Sequence, residues 1–361
     1  MPTHRKNQLI GLDIGSHSIK LVEIDDSKKG RVLKRFGMAG LPPQAIVEGS
    51  IKEMEIISSK IKDLFKNLKV KNKNVATSIS GFSVIVKKIT LTNKEESELE
   101  TTIQDEAEQY IPFDIDEVNI DFDILSAENA AADEEESTDE TSGQMEVMLV
   151  AAKRDMVEDY SSLLQLANLN AVVLDVDAFA LQNALEISEG RTEGCCALVN
   201  VGAEELGINV VKEDMSLFTR DSSFGGSQIT EAIMSQFSVS FSEAEKIKLG
   251  VIKKERDEGV LENIFVSVVS EWVQEIKRAL DFVASTYPDE TIEKILVCGG
   301  SCRIPDFKEY LAVETGIKVA ELNPFTNLVI NEKAFDPKYL KYIAPQAAVA
   351  VGLALRSIGD K

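Results

Sequence analysis

Residues 9–24 read LIGLDIGSHSIKLVEI, and residues 197–211 read ALVNVGAEELGINVV. Each is an apolar strand carrying a polar residue (Asp13, Asn200), a glycine two positions later (Gly15, Gly202), a short polar turn and a second apolar strand. A glycine at that point lets backbone N–H groups approach a phosphate with no Cβ in the way, and the hydroxyls of Ser16 and Ser18 add donors. Strand–turn–strand is not the pattern of a P-loop or a Rossmann turn, where the glycines lead into a helix. Either stretch alone reads as an ordinary glycine-turn hairpin. Two of them in one chain could grip a polyphosphate from both sides. A third element, VCGGSCRIPDF (297–307), reads as a strand, a Gly-Gly turn and a helix. Gly299 and Gly300 would let the backbone lie flat against a nucleobase or a phosphate.

Around these hairpins the periodicity is that of an α/β protein. Ile56, Ile57, Ile61, Leu64, Phe65 and Leu68 recur at helical spacing, and VATSI (75–79) follows as a strand. AVVLDVD (171–177) is a buried-type strand running into the helix AFALQNALE. In the second half, helices are expected around 228–237, 242–249, 260–286 and 305–315, with a charged hinge at KKERDEG (253–259). The small-residue run PQAAVAVGLALRSIG (345–359) is expected as a closing helix.

Residues 75–170 read as an inserted β-α-β-loop-β-α module. Leu99, Ile103, Ala107 and Tyr110 share a helix face and Pro112 ends that helix; Val118, Ile120, Phe122 and Ile124 then alternate with polar residues as in a strand with one wet face. Residues 127–144 lose all apolar periodicity and read as an acidic loop. A helix is expected from about Arg154 to Ala167.

The chain has 361 residues, 44% apolar and 28% charged, with net charge −22, which fits several packed lobes. The charge is uneven: residues 1–94 hold 18 Lys/Arg against 8 Asp/Glu, whereas residues 95–152 hold 20 Asp/Glu and no Lys or Arg. A general nucleic-acid binder is excluded by that balance. No apolar run is long enough to span a bilayer and none of signal-peptide length precedes Asp13, so a cytoplasmic protein is expected. Cys195 and Cys196 lie in an apolar strand, Cys298 and Cys302 flank the Gly-Gly turn, and His4 and His17 are distant in sequence. Neither spacing is that of a redox or zinc site, so buried, inert thiols are expected. No nucleophile–base arrangement is evident. Asp175 and Asp177 are the best-placed carboxylates for a kinase-type base, with helix capping the alternative for Asp177.

DIGSHSIK, VNVGAEE, SEAEKIKLG, VCGGSCRIPDF and APQAAVAVGLALR, in that order, resemble the nucleotide-binding elements of the actin-like ATPase superfamily. EAEQYIPFDIDEVNIDFDIL, VAAKRDMVEDYSSLLQLANL, VVLDVDAFALQNALE and SLFTRDSSFGGSQITEAI more closely resemble the PilM family of type IV pilus assembly proteins. The resemblance implies a two-lobed actin-like fold of duplicated ribonuclease-H-like domains with an inserted α+β subdomain. The first lobe would take 1–74 with 171–190 and 343–361, the partner-binding insert 75–170, and the second lobe 191–342, including a helical part at 226–290. It further implies ATP or ADP with Mg²⁺: Asp13 near the metal and phosphates; Gly15, Ser16, Ser18 and Lys20 at the first phosphate hairpin; Asn200, Gly202 and Ala203 at the second. Glu245 and Lys248 would reach the ribose and adenine, and Gly299, Gly300 and Ser301 would complete the adenosine pocket. Asn200 departs from the aspartate that many superfamily members carry there, which argues for at most slow hydrolysis because Mg²⁺ prefers anionic or water oxygens. The implied partner is the N-terminal cytoplasmic peptide of a PilN-like membrane protein, which would recruit this chain to the inner face of the inner membrane. Other inner-membrane platform proteins and assembly ATPases are further candidates. An actin-fold kinase and an FtsA-like filament protein are the alternatives.

Overall fold

The computed structural model describes residues 8–28, 30–127, 143–213, 215–253 and 257–359. The chain forms two compact units: a larger one taking the sequence up to Gly81 and again from Tyr160, and a smaller one of Phe82–Asp159. His4, residues 254–256 of the expected hinge and residues 128–142 of the expected acidic loop lie outside the described residues.

The larger unit is built on two sheets of the same design. In the first, β1 (Ile10–Ile14), β2 (Ser18–Ser27) and β3 (Gly30–Gly40) form an antiparallel meander. A small ribbon, β4 (Ile46–Val47) with β5 (Ser50–Ile51), and the helix α1 (Met54–Asn67) come next. β6 (Asn74–Ile79) then joins β1 in parallel, and β10 (Asn170–Val176) joins β6 in parallel. The second sheet repeats this with β11 (Thr192–Val201), β12 (Leu206–Glu213) and β13 (Met215–Ser222) antiparallel, followed by β14 (Ile292–Cys298) and β15 (Lys318–Glu321) in parallel. The strand orders β10-β6-β1-β2-β3 and β15-β14-β11-β12-β13 therefore correspond strand for strand. This is the duplication that the two hairpin stretches announced.

Two helices carry the packing between the sheets. α4 (Asp177–Glu189) and α10 (Ala348–Leu353) place Ala180, Leu181, Ala184, Leu185, Ala348 and Leu353 in one buried cluster with Ala76 of the first sheet and Cys196, Leu198 and Leu296 of the second. The small residues allow close approach. A Cβ on Gly352 would overlap the Ala180 carbonyl, and one on Gly11 would overlap the Ala350 carbonyl oxygen. On the outer face of the second sheet, α5 (Gly226–Phe237), α6 (Phe241–Lys248), α7 (Glu258–Thr286) and α8 (Phe307–Thr315) pack around fully buried Trp272 and Phe307.

The smaller unit is a three-stranded antiparallel sheet of order β7-β9-β8, from β7 (Val84–Thr92), β8 (Val118–Ala127) and β9 (Gln144–Lys153). The helix α2 (Glu96–Ala107) covers it with Leu99, Ile103 and Ala107, as the helical spacing predicts. α3 (Arg154–Leu166) carries the chain back into the larger unit.

Three expectations change. The insert begins at Phe82 rather than 75, because residues 74–79 are an inner strand of the first sheet; its first strand is instead Val84–Thr92. It closes at Asp159 rather than 170, because Leu163, Leu164 and Ala167 are buried in the larger unit and Asn170 already pairs with Asn74. The closing helix is short: a 3₁₀ turn at Ala344–Ala347 precedes α10, which stops at Leu353. Beyond it Arg356 pairs with Asp175 at 3.1 Å and Ser357 forms a bridge with Gln8, so the backbone is used elsewhere.

Candidate functional site

The two hairpins close with the same hydrogen bond. The Gly15 N–H donates to the Ser18 carbonyl at 3.2 Å, and the Gly202 N–H donates to the Glu205 carbonyl at 2.8 Å. In the first, register places Asp13 opposite Lys20, and the Lys20 ammonium lies 3.1 Å from a carboxylate oxygen of Asp13, which is buried. Gly15 stands beside this pair: a Cβ there would come within 3.1 Å of Lys20 Nζ and 3.6 Å of Asp13 Oδ1. Ser18 is buried at the start of β2, Ser16 is half-buried in the turn and His17 is exposed at its tip. Partial burial lowers the His17 pKa, against the pull of Glu245 and with a push from Lys248 and Lys20. His17 therefore lies within electrostatic reach of α6 as well as its own hairpin.

The remaining expected residues converge around the second hairpin. The first N–H groups of α5 donate to its turn, Gly226 to the Gly202 carbonyl at 3.1 Å and Ser227 to the Ala203 carbonyl at 2.8 Å. The Ser301 hydroxyl donates to the Gly202 carbonyl at 2.7 Å. Lys248 donates to Glu245 at 2.6 Å, to the Thr230 hydroxyl at 2.8 Å and to the Gly226 carbonyl at 3.2 Å, and Thr230 in turn donates to Glu245. With side-chain exposures of 11% and 16%, Lys248 and Glu245 are no surface ion pair. The two glycines of the Gly-Gly turn do different things. Gly299 has φ +84°, and a Cβ there would overlap the Val201 carbonyl and come within 2.6 Å of the Asn200 side-chain oxygen. Gly300 is nearly free, its closest neighbour being the Gln346 amide at 3.4 Å.

Three carboxylates stand with these residues: Asp177, expected as a kinase-type base or a helix cap, and Glu205 and Asp221, which the motifs did not flag. Asp177, the first residue of α4, accepts a 2.5 Å hydrogen bond from Ser78. Its pKa is pushed up to about 7, by burial first and then by Asp13 and Asp221. Burial raises the pKa of both Glu205, in the second turn, and Asp221, on β13, and the charge of Asp221 raises Glu205 further. Asp221 accepts from the Gly81 N–H at 2.8 Å, and Ser80 donates to Glu205 at 3.2 Å. Only Asp177 carried a visible signal, its position directly after the strand parallel to β6. Asp175, the other expected base, is held by Arg356 at 3.1 Å and accepts from the Val176 N–H at 2.9 Å, so it is a structural ion pair. The four cysteines are all buried, and burial pushes Cys196 and Cys302 up to about 12, which makes them unreactive thiols.

Chemically, with the Gly15 and Gly202 N–H groups closing the hairpins, the site offers the other N–H groups of the two turns and Lys20 for phosphate oxygens, and a concentration of carboxyl groups that resist ionising together. A polyphosphate alone would be repelled by Asp13 and Asp177, whereas a divalent cation travelling with it would relieve their mutual repulsion. The donor set therefore fits a metal–nucleotide complex. No cluster of three or more His, Cys, Asp or Glu side chains is already arranged as a metal cage among the described residues, so phosphate oxygens and water would complete the shell.

Known proteins share this fold. A solved PilM-PilN type IV pilus biogenesis complex contains a chain 29% identical to this one, with a TM-score of 0.83 over 96% of this chain and 98% of that one. The ethanolamine utilization protein EutJ from Carboxydothermus hydrogenoformans (17% identity, TM-score 0.57, 99% and 92% covered) shares the fold. So does MreB 5 of Spiroplasma citri, solved bound to AMPPNP (12% identity, TM-score 0.52, 96% and 95% covered). The family described as type IV pilus assembly protein PilM matches residues 11–358, and this chain, with its duplicated sheets, paired phosphate-type hairpins and inserted unit, belongs to that family.

Proposed function

We propose that the protein is an ATP-binding scaffold of the type IV pilus inner-membrane machinery and binds the N-terminal cytoplasmic peptide of a PilN-like membrane protein. The observation that carries the partner is the match over 96% of the chain, at 29% identity, to a protein solved as a PilM-PilN complex. The observation that supports the nucleotide is the gathering of the second hairpin, α5, α6 and the Gly-Gly turn around one site, with Asp13 and His17 of the first hairpin in electrostatic reach of its neighbours. Asp13 and Asp177 would hold Mg²⁺ with the phosphates, and the metal would supply charge neutralisation of the polyphosphate. Lys20 and the turn N–H groups orient the phosphates. Glu245 would present an acceptor to the ribose or base, Lys248 would reach them by exchanging one of its three present bonds, and Gly300 leaves room for the ring. Asn200 gives the second hairpin a neutral oxygen where a carboxylate would draw a metal closer, so nucleotide acts as a ligand that biases conformation, with slow turnover. A kinase reading loses one of its two candidate bases, Asp175, which Arg356 already holds, and the match of a pilus assembly family to residues 11–358 does not favour it.

For the peptide, the smaller unit offers edge strands, β7 and β8, to which an extended segment can add. The absence of any Lys or Arg from residues 95–152 favours a peptide with basic residues or a free amino terminus. The test is capture of the full chain by a synthetic PilN-like N-terminal peptide. Capture by this peptide and not by a scrambled one is expected, and equal capture by both overturns the assignment. Steady-state ATP turnover faster than about 1 s⁻¹, an ordinary enzyme rate, would overturn the scaffold reading of the nucleotide site.

A further inference from the structure

One face of this acidic chain is basic. Lys62 and Lys66, one turn apart near the end of α1, and Lys69, Lys71 and Lys73 in the connection to β6 line a cavity of about 300 Å³. Its floor is Phe65, Val70 and Ala167, all buried, and Asn168 stands at its edge. From Ile56 to Lys73 the only acidic residue is Asp63. All five lysines are exposed, and among the described residues none has a carboxylate partner within ion-pair distance.

Lysines at a helix C-terminus commonly serve its free carbonyls. Here the backbone has done that already. The N–H groups of Leu68, Lys69 and Val70 donate to the carbonyls of Leu64, Lys66 and Phe65 at 3.0, 3.1 and 2.9 Å, and Arg35 Nε takes the Leu68 carbonyl at 2.7 Å. Lys73 lies over the Phe65 ring at 5.0 Å, and the other four ammonium groups are uncommitted. Five like charges held together with no neutralising partner repel one another, and an anionic surface relieves that repulsion.

We propose that this lysine-lined face is an electrostatic contact for an anionic phospholipid bilayer. The choice of a bilayer over other polyanions rests on the membrane-recruited role proposed above. Lysine supplies compact point charges rather than the planar forks that pick out single phosphates or carboxylates, and no exposed aromatic ring lines the cavity to stack on bases. The rest of the chain would be repelled by a negative bilayer, since the net charge is −22. A contact through this one face also orients the molecule on the membrane. The contact is superficial: no helix among the described residues is long and apolar enough to cross.

The test is co-sedimentation of the full chain, without any partner peptide, with vesicles of phosphatidylcholine alone or with about one third phosphatidylglycerol. Binding only to the anionic vesicles at low salt, lost at about 0.5 M salt where the screening length is a few ångströms, is expected. Lys62→Glu/Lys66→Glu/Lys71→Glu should weaken it at least about tenfold, since each lysine near the surface adds to the attraction. The milder Lys62→Gln/Lys66→Gln/Lys71→Gln should weaken it less. Lys333→Glu/Lys338→Glu/Lys341→Glu changes net charge equally elsewhere and should leave most of the binding. Wild type that ignores anionic vesicles, or patch and control variants that lose binding equally, overturns the proposal. Self-association of wild type in solution that the patch variants abolish, with no vesicle binding, would reassign the face to a second copy of the chain. Peptide capture in solution is a separate measurement, so failure of the membrane contact and failure of the partner assignment are distinguishable.

Discussion

Gly299 and Gly300 are neighbours with opposite reasons to lack a side chain. Gly299 is fixed by its φ of +84° and by the Val201 carbonyl against which it lies, so Gly299→Ala should destabilise the fold by about 2 kcal/mol or more, seen as a lowered thermal midpoint. Gly300 has room and an ordinary backbone, so neither fixes it as glycine, and the proposed nucleotide site supplies the reason. Gly300→Glu should leave the midpoint within a degree or two and abolish ATP binding in calorimetry; unchanged affinity would remove the Gly-Gly turn from the adenosine site. Asp177 gives a pH dependence. Its pKa in the folded chain, about 7 against an ordinary 3.8, means the native state holds a proton that the unfolded chain releases. The cost of ionising it is absent below about pH 4, grows through pH 4–7 and is complete above. Asp177→Asn keeps an acceptor for Ser78 and removes that cost, so its stability advantage should rise across the same window to on the order of 1–3 kcal/mol, measured by urea unfolding at pH 5 and pH 8. An advantage that shrinks as pH rises would show that Asp177 is not held back from ionising.

Among the elements, the doubled hairpins were legible because each combines three signals: an apolar run, a glycine at a fixed offset and a resumed alternation. Asp13, Gly15 and Gly202 stand where that pattern places them. β7 was not legible, because adjacent Lys87 and Lys88 interrupt the alternation of VIVKKITLT; they are tolerated in a two-faced sheet where Val84, Ile89 and Leu91 alone are buried. The Glu205–Asp221 pair was invisible for another reason. Its meaning lies in a contact between the second hairpin and the Ser80–Gly81 turn, and nothing in the sequence brings those segments together. The small-residue run at 345–359 was readable as a helix but not as a crossing of α10 over α4. That crossing yields a sharp expectation. Gly352→Ala puts a methyl group onto the Ala180 carbonyl, and because α4 and α10 support both sheets it should cost about 2–3 kcal/mol as overpacking. A Gly352→Ala chain as stable as wild type would mean that the helices can separate freely.

At the scale of the whole molecule, net charge reports less than its distribution. The −22 total hides a basic first 94 residues and an adjoining stretch with 20 acidic residues and no basic one. Within that stretch, β8 presents Asn119, Asp121 and Asp123 on its exposed face, while Val118 is buried on the other. Charges so placed do little for stability, because exposed pairs and solvated faces contribute fractions of a kcal/mol; they act on the rate at which a basic partner arrives. The association rate of a basic PilN-like peptide should therefore fall steeply between about 50 and 500 mM salt, roughly as screening shortens from beyond 10 Å to a few ångströms, while the dissociation rate changes little. Asp121→Lys/Asp123→Lys should flatten that salt dependence and slow association about tenfold or more, leaving ATP affinity untouched, since neither residue belongs to the nucleotide site. Stopped-flow fluorescence with a labelled peptide separates the two rates. A salt-independent association rate, or a charge reversal that alters only dissociation, would move the peptide contact off β8 and leave the acidic stretch with a role in solubility alone.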